Sequence, residues 1–147
     1  MNASPPSPRA TAWAHWYRRV LPAYWIFLFC TTHLPNLHLT VAGHSGGGPA
    51  HLTGFGVLAF LFWRFAETSR RPLSSRFVWV AAPGLVLYAA VDEYLQQFTG
   101  RSTNLGDWLC NVVAIAAVLG VLEWRRRVAA RRASADPSRE GEAPAEP

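Results

Sequence analysis

The chain has 147 residues, half of them hydrophobic and 13% aromatic, yet its mean hydropathy is only +0.08. That length allows one domain, and the modest mean arises because polar residues collect at the two ends. The net charge of +5 comes entirely from Arg, with no Lys; these residues flank apolar runs, which argues for a membrane topology and against nucleic-acid binding.

Residues 1–11 (MNASPPSPRAT) are rich in Pro and Ser and cannot bury enough apolar surface to offset the entropy of ordering, so a disordered tail is expected. No small-residue cleavage site follows the first apolar run, so that run is expected to stay as a helix rather than leave as a signal peptide. Four apolar runs follow, at residues 20–32, 52–65, 77–91 and 108–124. With their flanks they predict helices over about 13–34, 50–67, 76–97 and 105–126, inside one domain of residues 12–127. Residues 128–147, an Ala/Arg/Glu/Pro mixture, read as a second disordered tail.

Each run is shorter than the ~20 residues that span a bilayer, but three features favour a membrane over a soluble bundle. The third run is apolar on every face, with only the Tyr88 hydroxyl as a polar side-chain group, whereas a helix of a soluble bundle needs a wet face. Trp13, Trp16, Tyr17, Trp63, Trp79, Trp108 and Trp124 stand where interfacial aromatics belong. The Arg residues also alternate sides: Arg18 and Arg19 precede the first run, Arg64, Arg70, Arg71 and Arg76 join the second and third, and Arg125, Arg126 and Arg127 follow the fourth. Only Arg101 lies between the third and fourth. The expectation is an all-α membrane protein with four transmembrane helices and both termini cytoplasmic.

Local signals add detail. Pro22 is placed in a first helical turn, Pro35 closes the first helix, and Pro83-Gly84 should kink the third. Ala50 and Gly54 form a small-xxx-small pair where another helix can approach. Gly46-Gly47-Gly48 reads as a flexible loop, since it lacks the Lys-Ser/Thr of a phosphate-binding loop. Cys30 and Cys110 have no CxxC spacing; buried free thiols are expected, with a bridge left open.

The chemistry-bearing segment is residues 92–111, DEYLQQFTGRSTNLGDWLCN, at the outer ends of the last two helices. Helical spacing sets Asp92 opposite Gln96 and lets Glu93 reach Gln96 and Gln97, while Asp107 and Asn111 share a face. Arg101, the only cation there, is set to neutralise Glu93 or Asp107, with Gln96 and Asn111 tying the helices together. The same groups read equally as a ligand-binding or catalytic site, because ionisable residues at membrane depth are costly. His51 opens the second helix at this level and could pair with Glu93 or Asp107 as an acid–base couple. His33, His38, His44 and His51 lack the i, i+4 spacing that puts two ligands on one helix face, so no metal and no cofactor is expected. No G-x-S-x-G motif is present.

The order D-E-x-x-Q (Asp92, Glu93, Gln96), Gly-Arg (Gly100, Arg101) and D-x-x-x-N (Asp107, Asn111) resembles the VanZ-like family of small bacterial membrane proteins. Two positions depart from the family pattern. Gly47 and Gly48 stand where an Asp-Lys pair often precedes the histidine matched by His51, and Ala114 stands where the family tends to have Gly. The resemblance implies a multi-pass cell-envelope protein associated by name with resistance to glycopeptides such as teicoplanin, and it supplies no reaction. Three functions are compatible with it. The polar hairpin binds a polar or anionic envelope ligand, with Arg101 as the anion contact. Alternatively, Glu93 or Asp107 with His51 acts on a lipid-linked or cell-wall substrate. Transport is the third, and through four spans it would need a homo-oligomer.

Overall fold

The computed structural model describes residues 8–34, 47–69, 73–74, 76–101 and 104–135. These form four helices: α1 (Pro8–His33), α2 (Gly47–Ser69), α3 (Phe77–Gln96) and α4 (Leu105–Ala135), with a short 3-10 turn at Gln97–Thr99 after α3. No strand occurs among the described residues. The all-helical expectation and the order of the elements therefore hold. His38, His44, Pro35 and the Arg70-Arg71 pair lie outside the described residues.

The helices at both ends of the chain are longer than expected. Pro8 starts α1, where its missing N–H and fixed φ suit a first turn, so residues 8–11 are helical rather than tail. Pro22 then falls inside α1 rather than in its first turn, and removes the hydrogen bond to the carbonyl four residues back. At the other end α4 continues to Ala135, because the Ala- and Arg-rich stretch after Arg127 consists of strong helix formers. The α3 helix is continuous through Pro83.

Gly47 and Gly48 also differ from the loop expected of them: they form the first turn of α2. Between α3 and α4, Gly100 adopts a left-handed φ of 79°, a conformation open to glycine. The Arg101 amide then bonds the Gln96 carbonyl at 3.3 Å, the long bond of a Schellman closure. Asn104 caps α4, its Oδ1 accepting from the Gly106 amide at 2.9 Å.

Helix α2 packs on α4 and on α1, α4 packs on α3, and α3 closes the ring against α1. Across the centre, Phe55 meets Tyr88 and Phe62 meets Phe77, joining the diagonal pair α2 and α3. Leu58, Phe55, Ala59 and Ala89 are wholly enclosed. Helices α1 and α2 approach closely at Gly54, where a Cβ would stand 2.7 Å from Leu28 Cδ1 and where the Tyr24 hydroxyl donates to the Gly54 carbonyl at 2.9 Å.

Besides the apolar core, large apolar side chains lie on the outside of the bundle while several polar groups are enclosed. Trp79, Val80 and Leu87 are 77, 73 and 66% exposed, whereas Asp92 and Asn111 are 0% exposed. A soluble protein rarely leaves so much contiguous apolar surface to water. Two helical segments, Phe77–Thr99 and α4, are long and apolar enough to cross a membrane. Only 28% and 22% of their most apolar windows is buried, whereas the core helix of a soluble protein is mostly buried. Helices α1 and α2 do not reach the same standard; α1 carries Arg18 and Arg19 mid-helix, and α2 carries His51, Arg64 and Glu67. Both cysteines are free, and Cys30 is exposed on α1 rather than buried.

The α1–α2 approach gives a direct test. Gly54→Val forces Leu28 aside and should cost roughly 1–3 kcal/mol, the usual range for overpacking. Gly120→Ala, whose Cβ meets nothing within 4 Å, should be neutral or stabilising by up to about 1 kcal/mol. Thermal unfolding of the two variants in detergent compares them; equal melting temperatures would contradict the close contact.

Candidate functional site

All four helices contribute polar side chains at one end of the bundle. Asp92, on the last turns of α3, is wholly enclosed. An unpaired carboxylate is costly to enclose, and the neighbours answer that cost from two helices. Gln96, one turn on, donates Nε2–H to Asp92 Oδ2 at 3.2 Å, the pairing that i, i+4 spacing anticipates. Tyr88, one turn back, brings its hydroxyl to 3.5 Å from Oδ1.

The end of α1 supplies the rest. The Thr32 hydroxyl lies 3.3 Å from Asp92 Oδ1 and 3.0 Å from the Phe29 carbonyl, with one proton to share between them. His33 Nδ1 is 2.8 Å from the Phe29 carbonyl and 3.8 Å from Asp92 Oδ1, and its ring stacks on Phe29. A carbonyl only accepts, so the close Phe29 oxygen assigns the Nδ1 proton. His33 Nε2 is buried without a protein partner.

Glu93 turns away from Gln96 and Gln97, the partners expected of it. Its Oε1 accepts from the Asn104 amide at 2.6 Å, so the carboxylate seals the start of α4 from a different helix. A negative charge is favoured there by the helix dipole and by the orphan amides of a first turn. Glu93 Oε2 is buried and unpartnered.

Asp107 occupies the corresponding place at α2. A Cβ on Gly47 would stand 2.6 Å from Asp107 Oδ2, so the carboxylate lies hard against the first turn of α2 and would have to shift for any larger residue there. His51 Nε2 lies 4.0 Å from the same oxygen, with the histidine side chain 4% exposed. Of the two partners open to His51, the fold therefore selects Asp107. His51 Nδ1 has no protein partner, and the ring is within electrostatic reach of Asp92.

Arg101 does not neutralise Glu93 or Asp107: among the described residues no ion pair joins it to either. Its Nη1 instead donates to the Thr32 carbonyl at 3.2 Å. That oxygen is one of the orphan acceptors at the end of α1, where the helix dipole favours a cation. Asn111 is likewise not a tie between helices. It is wholly enclosed, and neither its Oδ1 nor its Nδ2 has a protein partner.

Of the seven residues expected at this end, Asp92 and Gln96 meet directly, and His51 meets Asp107. Thr32, His33, Tyr88 and Asn104 belong to the same polar end and were not anticipated as its members. The signals were present: Tyr88 is four residues before Asp92, and Thr32-His33 is a polar pair closing an apolar run. No three His, Cys, Asp or Glu residues among those described are grouped so as to hold a metal ion.

The arrangement offers an imidazole beside a carboxylate, together with unpartnered acceptors and donors from each of the four helices. It can exchange protons and hydrogen-bond a polar group. No protein-family model, curated protein or solved structure matches this chain.

Double-mutant cycles separate the two pairings of Asp107. His51→Ala with Asp107→Asn should show a coupling of roughly 0.5–3 kcal/mol. Arg101→Gln with Asp107→Asn should be additive within about 0.5 kcal/mol. Unfolding midpoints in detergent provide the readout, and a strong Arg101–Asp107 coupling would restore the ion pair first expected.

Proposed function

We propose that this chain is a VanZ-like integral membrane protein of the bacterial cell envelope, with four spans and both termini cytoplasmic, whose outer end binds a polar envelope ligand. The observation that carries the binding role is the set of buried polar atoms lacking protein partners among the described residues: His33 Nε2, His51 Nδ1, Glu93 Oε2, Trp108 Nε1 and both amide atoms of Asn111. Buried polar groups are satisfied in native proteins with few exceptions. Several such atoms at one end, one or more from each helix, favour a polar occupant carrying hydroxyl, amide or amine groups. Arg101 is engaged at the end of α1, which favours a polar ligand over an anionic one.

Supporting the membrane topology are the outward apolar surface, the two helices of spanning character and the Arg distribution. With Arg concentrated at the other end, the positive-inside rule sets the Asp92 end outward. Helices α1 and α2 would cross beside α3 and α4, because they pack along them.

A second reading is favoured by the His51–Asp107 pair. A histidine 4.0 Å from a carboxylate is placed for proton transfer, and Glu93 adds an unpartnered carboxylate oxygen. In that reading the protein is an enzyme acting on a lipid-linked or cell-wall substrate, with His51, Asp107 and Glu93 as its acid–base groups.

A reporter fused after Thr103 should be external and reporters at either terminus cytoplasmic; a cytoplasmic signal at residue 103 would sink the topology. Asp107→Asn and His51→Ala should retain membrane yield while losing protection against envelope stress. Loss of yield in parallel with protection would instead reduce the cluster to a structural network. Turnover of an envelope lipid by the purified wild-type protein, lost in His51→Ala, would decide for the enzyme.

A further inference from the structure

The opposite half of the bundle holds a recess. An open cavity of about 670 Å³ lies between α1, α2 and α3. Trp25, Phe62, Phe77 and Leu85 line its apolar part, and its polar lining is Ser69, Ser74 and Arg76, all in or beside the α2–α3 connection. From Phe77 to Leu85 the cavity follows α3 for roughly 12 Å at 1.5 Å per residue. It is therefore apolar along its length and cationic with hydroxyls at one end.

We propose that this cavity seats an anionic phospholipid, with an acyl chain along the aromatic wall and the phosphate at Arg76. The inference rests on the membrane reading above, in which this end faces the cytoplasmic leaflet. Charge complementarity selects the occupant. Arg76 is exposed, and among the described residues its guanidinium has no acidic partner. The charged residues of the connection at positions 70, 71 and 76 are all Arg. Ser74 Oγ accepts from the Arg76 amide at 3.2 Å, which leaves its own proton to donate to a phosphate oxygen. A zwitterionic lipid would fill the same apolar wall but return less at the Arg76 end. Basic residues on the cytoplasmic side are suited to anionic headgroups for this reason.

Gly84 lines the cavity, and a Cβ there meets nothing within 4 Å. A side chain can therefore start from this position without a clash at its Cβ, so Gly84→Phe tests the apolar wall while Arg76→Gln tests the charge.

The full chain is reconstituted into vesicles of equal parts phosphatidylglycerol and phosphatidylcholine, re-extracted in mild detergent, and the retained lipids are counted by native mass spectrometry. Wild-type protein should retain phosphatidylglycerol over phosphatidylcholine by roughly fivefold, the scale expected of one Arg near an anionic surface. Arg76→Gln should bring that ratio close to one, and Gly84→Phe should lower retention of both lipids. Equal retention by the wild type, an unchanged ratio in Arg76→Gln, or undiminished retention in Gly84→Phe would each overturn the proposal. Alkaline washing of the cell membranes before extraction tests the underlying reading separately. A chain washed off the membrane fails that reading, whereas a chain that stays but shows no lipid preference fails only the lipid site.

Discussion

The Asp92 carboxylate is held with no exposed surface at the end of a helix whose outer side is apolar, and much of the bundle's arrangement follows from supplying it with donors. An enclosed carboxylate left without partners would cost several kcal/mol. Its own helix offers Tyr88 and Gln96, one turn to either side. The remaining contacts come from Thr32 and His33 at the end of α1, which sets the height of α1 against α3. Arg101 adds to the same junction by closing the Thr32 carbonyl. One buried group thus couples the last turn of α1, the last turns of α3 and the residue after the Gly100 turn.

The other two acids at this end obey a different rule. Glu93 bonds the amide of Asn104 ahead of α4, and Asp107 lies against the first turn of α2. Each carboxylate answers the positive end of a neighbouring helix rather than an Arg. The opposite end uses the usual pairing: Glu123 takes two bonds from Arg126, both at 2.8 Å, and one from Arg127 at 2.6 Å. Arg126 also reaches the Leu73 carbonyl in the α2–α3 connection, while Arg64 pairs with Glu67 and lies over the Tyr17 ring. The molecule therefore has an end rich in acids and histidines and an end rich in Arg. The proposed ligand and lipid sites differ in chemistry because these two ends do.

Gly47 illustrates how the environment rewrites a local reading. In a Gly-Gly-Gly stretch the reasonable inference is a flexible loop, since nothing local requires glycine in a helix. Against Asp107 the same residue gains a role, because any side chain there would press on the carboxylate and force it to shift. Here an acid from α4 lies in the space that a side chain at position 47 would enter. Gly54 was legible for the opposite reason. A small residue four positions after another already indicates close helix approach, and Leu28 and Tyr24 make that approach.

What the sequence by itself determined is everything that depends on period and composition: four helices in order, the Gly100 turn, the i, i+4 pairing of Asp92 with Gln96, and the gathering of polar groups at one end. These are local consequences of helical geometry and of the cost of placing charge among apolar residues. Only the tertiary structure decided the long-range partners: Thr32 and His33 for Asp92, Asn104 for Glu93, Asp107 for His51, and the Thr32 carbonyl for Arg101. A helix period places a side chain on a face but carries no information about which neighbour is rotated toward it. The orphan amides and carbonyls at helix ends, invisible in side-chain spelling, compete for the same charges. At this end of the bundle they prevailed over the Arg–acid pairing that composition suggested.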